Sequence, residues 1–125
     1  MSGPRTNGPS WARVLVIEDE FLIAQEIESA LREGGFKEIA QASTERAAFL
    51  QIEREVWDLV ILDANLNGRP VGEIARALRE RGARILVVTG YGRESLPPEV
   101  VDQPLLEKPF DPAKLLQAVR DLCEQ

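Results

Sequence analysis

Glu18-Asp19, Asp63, Asn65, Thr89 and Lys108 are the residues of this chain whose types suit phosphoryl and metal chemistry. Each lies at the end of an apolar run, or just after one. Brought together, three carboxylates, a hydroxyl and an ammonium would hold a divalent cation and a phosphoryl group. Asp63 closes the run DLVILD, Asp58 to Asp63. A lone carboxylate buried there is costly without a partner. It fits a nucleophile that becomes an acyl phosphate, already ionised and needing no general base. A helix cap or a structural ion pair is the plain alternative. Glu18 and Asp19 follow the run ARVLVI. They fit Mg2+, which takes one or two carboxylates with waters and phosphate oxygens. They also fit the favourable charges of a helix N-terminus, as Glu20 does. Clustered like charges repel, so removing Asp19 is expected to keep or raise metal-free stability. Asn65, two residues past Asp63, says little alone, because Asn is common in turns. Thr89 ends RILVVT, either as a β-branched strand residue or as a hydroxyl donor to a phosphate oxygen. Lys108 precedes Pro109-Phe110 and follows a buried run, which presents its ammonium beside the others for pairing with phosphate.

Such a gathering needs strands whose C-terminal ends share one edge, as in an open parallel α/β sheet. The pattern supplies them. Ala12 to Ile17 reads as a first strand. Phe21 to Arg32 has helical spacing at Ile23, Ile27 and Leu31, closed by Gly34-Gly35. Lys37 to Ala42 is a weaker strand of mixed polarity that suits an edge, and Ser43 or Thr44 caps a second helix. Asp58 to Asp63 is a central strand covered on both faces. Gly72 to Arg81 is a helix stopped by Gly82, Arg84 to Thr89 a buried strand, and Gln103 to Glu107 a fifth. Asp111-Pro112 starts the last helix, whose buried stripe is Leu115, Leu116, Val119 and Leu122. This alternation implies βαβ units and a parallel sheet. One crossover breaks the pattern. Between Thr89 and Gln103, two glycines and Pro97-Pro98 leave room for a turn or two of helix, and otherwise a loop.

The chain has 125 residues, enough for one domain, with residues 1–11 read as a disordered leader and 12–125 as the folded unit. A net charge of -6 argues weakly against a nucleic-acid surface. Cys123 stands alone, so no internal disulfide forms, and the absence of histidine excludes Ser-His and Cys-His catalytic pairs and His-based metal sites. No signal-peptide pattern and no long apolar run are present, so a cytoplasmic protein without membrane association is expected.

Taken in this order, the motifs resemble the response-regulator receiver domain of bacterial two-component systems. The resemblance covers about residues 12 to 125. It implies a CheY-like, flavodoxin-like doubly wound sheet of five parallel strands, order 2-1-3-4-5, with helices on both faces and its ligands at the C-terminal strand ends. It implies that Glu18, Asp19, Asp63 and the Asn65 backbone carbonyl bind Mg2+. Asp63 is then the phosphoacceptor, Thr89 the switch hydroxyl and Lys108 the phosphate contact, with a cis Lys108–Pro109 bond. Three places depart from the family pattern. Leu105 stands where an aromatic switch residue is usual, Asn67 stands where a proline is usual, and the fourth helix is degraded. With Thr89-Gly90-Tyr91, these features are similar to the stand-alone "FAT GUY" receivers, although Val87-Val88 replaces Phe-Ala. Tyr91 is then the substitute switch residue. The expected function is a single-domain response regulator. It would take its phosphoryl group from a histidine kinase or phosphotransfer protein, and signal by protein binding or act as a phosphate sink. It would not be an enzyme beyond self-catalysed phosphotransfer and autodephosphorylation. The alternatives are an unphosphorylated pseudo-receiver used as a binding module and, behind it, an aspartyl-phosphate phosphatase.

Overall fold

The computed structural model describes residues 12–90 and 96–124. The elements run β1 (Arg13–Ile17), α1 (Phe21–Glu33), β2 (Glu38–Ala42), α2 (Glu45–Arg54), β3 (Leu59–Asp63), β4 (Asn65–Leu66), β5 (Arg69–Pro70) and α3 (Gly72–Glu80). Then come β6 (Arg84–Thr89), β7 (Leu105–Glu107) and α4 (Pro112–Cys123). Five strands form one parallel sheet in the order β2-β1-β3-β6-β7. With the short hairpin β4–β5 set aside, this is the expected 2-1-3-4-5 order.

The period-2 alternation of each strand splits the core into two layers. Leu15, Ile17, Val60, Leu62, Ile85 and Val87 pack with Ala48, Ile52, Ile74 and Leu78 of α2 and α3. Val14, Val16, Ile61, Leu86 and Val88 pack with Ile27, Leu31, Leu115 and Val119 of α1 and α4. β3 is buried at every position, so the run from Leu59 to Asp63 carries no solvent-facing side. β2 and β7 are the two edge strands, both only partly buried.

Local chemistry sets the helix ends. Thr44, not Ser43, caps α2, its Oγ1 accepting from Ala47 N at 3.0 Å. Asp111 Oδ1 accepts from Ala113 N and Lys114 N, with Pro112 in the first turn of α4. Gly34 follows α1, and a Cβ there would lie 2.4 Å from Leu116 Cδ2, so its bareness lets α4 close onto α1.

Two features were not in the expected pattern. The loop after β3 folds into the β4–β5 hairpin, whose turn residues Asn67 (φ 53°) and Gly68 (φ 77°) are both left-handed. That is the backbone of a two-residue primed turn, for which Asn-Gly is the preferred sequence. The last strand is also shorter than expected, starting at Leu105. Among the described residues no helix stands between β6 and β7, and residues 96–103 form turns and bends. That stretch is nonetheless docked, because Val100 is fully buried against the α2–α3 layer. The leader 1–11 and Tyr91 lie outside the described residues.

Candidate functional site

Parallel register carries the functional residues to one edge. Ile17 pairs with Leu62 and Asp63 with Val88. Glu18-Asp19, Asp63 and Thr89 therefore follow or end three neighbouring strands. Lys108 follows β7, and its amide donates to Thr89 O at 2.8 Å, which ties the β7 end to the β6 end. The Lys108–Pro109 peptide is cis.

The structure brings four charged groups together. Glu18, Asp19 and Asp63 each offer a carboxylate oxygen, all within 4.8 Å of one another. Lys108 Nζ lies 3.2 Å from Glu18 Oε1 and 3.7 Å from Asp63 Oδ1. Glu18, Asp63 and Thr89 are the buried polar side chains among the described residues. Asn65 enters through its backbone, its amide donating to Asp63 Oδ1 at 3.1 Å, while its side chain is exposed. The Glu20 amide donates to Glu18 Oε2 at 3.0 Å. Neither amide contact is announced by residue type. In both, a carboxylate folds back to accept from the amide two residues on. Leu105, at the aromatic position, is half-buried against the α2–α3 layer.

Three acids and one ammonium leave the cluster with excess negative charge. Burial raises the Glu18 carboxyl to about 7, the Glu20 amide opposing and the Asp63 charge adding to the rise. Burial likewise raises Asp63, against the Asn65 amide. Asp19 is held below the usual carboxylate range. Burial works the other way, but hydrogen bonding with Asp63, with its own amide and with the Asn67 amide outweighs it. Lys108 is raised in spite of its burial, by the Asp63 and Glu18 charges. The donor set fits Mg2+: all-oxygen ligands, closely spaced, with Glu18 Oε1 fully buried and accepting no well-directed hydrogen bond. Such an oxygen gains from a cation more than from its ion pair alone.

An open parallel sheet carrying an acidic pocket and a lysine at its C-terminal edge defines a class, and the chain falls within it. Residues 14–120 match the response regulator receiver domain, and the chain belongs to that family. It is 30% identical to the "Transcriptional regulatory protein PdtaR" of Mycobacterium tuberculosis, over 95% of this chain and 61% of that protein. It therefore spans less than two thirds of that relative. Among solved structures it resembles SdrG from Sphingomonas melonis Fr1 at TM-score 0.79 and 29% identity, covering 92% of this chain and 98% of that one. It also resembles the chemotaxis response regulator CheY4 of Vibrio cholerae at TM-score 0.77 and 27% identity, covering 89% and 98%.

Proposed function

We propose that this receiver accepts a phosphoryl group on Asp63 from a phosphohistidine of a sensor kinase or phosphotransfer protein. The observation that carries the reading is the buried Asp63 carboxylate at the end of the central strand, beside Lys108 and the Glu18–Asp19 pair. An Asp63 oxygen attacks phosphorus. The O–P bond forms as the P–N bond breaks, and the imidazole leaves with the electron pair and takes a proton from solvent. Lys108 Nζ then meets a phosphoryl oxygen, and the Thr89 hydroxyl donates to another. Mg2+ held by Glu18, Asp19, Asp63 and the Asn65 carbonyl would neutralise charge on the transferred group. Water attack on the acyl phosphate returns the free carboxylate and phosphate, so no further enzyme activity is assigned.

Exposed Phe21 and Leu22 stand beside the site at the start of α1. Next to them, Ile23, Glu26, Lys108, Pro109 and Phe110 line a cavity of about 300 Å³. An apolar rim beside a phosphoacceptor supports a protein donor over a free metabolite. We take the chain as a stand-alone cytoplasmic receiver whose output is protein binding or phosphate sinking, without nucleic-acid or membrane contact. Among the described residues, no helix is long and apolar enough to cross a membrane.

Intact mass after incubation with acetyl phosphate and Mg2+ tests the reading. One added phosphoryl group is expected in the wild type and none in Asp63→Asn. An unlabelled wild type would sink it in favour of a constitutive binding module. Turnover of small phosphate esters would favour a phosphatase.

A further inference from the structure

Among the described residues after β6, the turns of 96–103 lie against α3, and Glu99 makes polar contacts between them. Glu99 reaches over the first residue of α3. A Cβ built on Gly72 would lie 2.5 Å from Glu99 Oε1 and 2.8 Å from its Cδ. Glu99 Oε2 is 3.4 Å from Arg76 Nη2, and the Glu99 carbonyl accepts from Arg79 Nη1 at 3.2 Å. The next residue, Val100, is fully buried. α3 has no side-chain cap of its own, because Val71 occupies its N-cap. A carboxylate from a distant segment thus serves the positive end of the helix, and glycine at position 72 leaves room for it.

A helix carries displacement along its length, because its hydrogen bonds run from end to end. Within 96–103, Val100 N donates to Pro97 O and Gln103 N to Val100 O, bonds of single turns and not of a continuous helix. It needs an outside attachment to pass on any movement that begins at Thr89. We propose that Glu99 is a positioning residue that latches this segment onto the first turn of α3, so that the two respond as one body to phosphorylation at Asp63. The coupling to phosphate rests on the function proposed above; the latch itself does not.

Hydrogen exchange over Gly72–Arg76 and over Leu96–Gln103 tests it. In the free protein Glu99→Ala is expected to speed exchange about fivefold in both stretches, the scale of a partly screened ion pair with a helix-end charge. β1 and β3 should be unchanged. Gly72→Ala gives a second route. Its methyl must displace the Glu99 carboxylate, the far end of a flexible side chain, and alanine is the better helix former, so the fold is kept. It should show the same pair of changes. With beryllofluoride and Mg2+, the wild type should change exchange in both stretches together, and both variants in Leu96–Gln103 alone. A merely structural Glu99 would shift the baseline yet leave both stretches responding. Joint responses in the variants, or separate responses in the wild type, overturn the coupling. If Asp63 takes no phosphoryl group, the functional reading fails separately. The latch then stands or falls on whether Glu99→Ala loosens both stretches of the free protein or only one.

Discussion

Glu18 is a carboxylate buried among like charges in the metal-free site. It is fully buried, and its carboxyl is raised from 4.5 to about 7. Between those values the folded state binds more protons than the unfolded chain, so stability falls as pH rises. The contribution is complete below 4.5 and gone above about 7. Asp63 is raised as well and acts with the same sign; Asp19 is lowered and acts oppositely, at lower pH. With chelator present, the urea midpoint should therefore drop between pH 5 and pH 8, by on the order of 1–3 kcal/mol of stability. Glu18→Gln should flatten that profile and weaken Mg2+ binding. A wild-type midpoint that rises over this range would contradict the assignment. Since protons and Mg2+ compete for the same oxygens, the stabilisation gained from Mg2+ should grow over the same interval. The expectation that removing Asp19 keeps or raises metal-free stability is checked in the same titration: Asp19 helps to raise Asp63, while hydrogen bonds support its own ionised form. Lys108 balances two buried carboxylates across the β7 end. Lys108→Ala should weaken the beryllofluoride-induced spectral change more than acetyl phosphate labelling, because the ammonium's differential contact with the phosphorylated state biases the conformational equilibrium. Spectral changes of equal size in variant and wild type would remove Lys108 from that role.

At the scale of elements, the β4–β5 hairpin places the Asn65 amide on Asp63. Asn67 Nδ2 donates to Ser43 O at 3.1 Å, which ties the hairpin to the start of α2. Gly68 and Gly82 have φ of +77° and +80°, and both are open to solvent where a Cβ would stand. Alanine at either position should cost about 1 kcal/mol of backbone strain. Gly68→Ala should also slow labelling of Asp63, whereas Gly82→Ala, at the C-terminal end of α3, should lose stability alone. Equal labelling rates in the two variants would mean that the hairpin does not position the acceptor. The strands and the strand-end residues were legible because the central apolar runs end on polar residues of distinctive type, whereas the strand order came with the family resemblance. The hairpin was legible only in the Asn67-Gly68 dipeptide, whose significance the departure from the family's proline concealed. The Glu99 contact has no local signature: it joins segments far apart in the chain, and no periodicity marks a charge that meets its partner across a fold. The fifth strand reads as longer in the sequence than it is, because Gln103-Pro104 continues the pattern while Pro104 has no amide to give a ladder.

At the scale of the whole molecule, the apolar side chains that the fold leaves exposed are unevenly placed. Phe21 and Leu22 are 70% and 74% exposed at the start of α1, directly after the acidic pocket's neighbour Glu20. Ile23, the next residue, lines the cavity with Phe110 and with Lys108 of the acidic pocket, which sets the start of α1 close to the phosphoacceptor. Val56, equally exposed, sits beyond the C-terminal end of α2, next to β3's start and so at the opposite edge of the sheet from Asp63. A small phosphodonor needs only the pocket, whereas a protein donor must cover the rim as well. Leu22→Glu should therefore slow phosphotransfer from a phosphohistidine protein about tenfold or more, the loss of one buried apolar contact at an interface centre. It should leave acetyl phosphate labelling within about twofold of wild type, since a surface change away from the reacting groups alters little. Val56→Glu, an equal change in charge and polarity on the far side, should affect neither reaction. The comparison separates a docking role from a general effect of charge on the encounter, because both variants alter net charge alike. If Leu22→Glu and Val56→Glu slow the protein donor equally, long-range electrostatics governs transfer and the α1 rim is not where the donor sits. If neither slows it, the donor reaches Asp63 from the hairpin side, across β4 and β5.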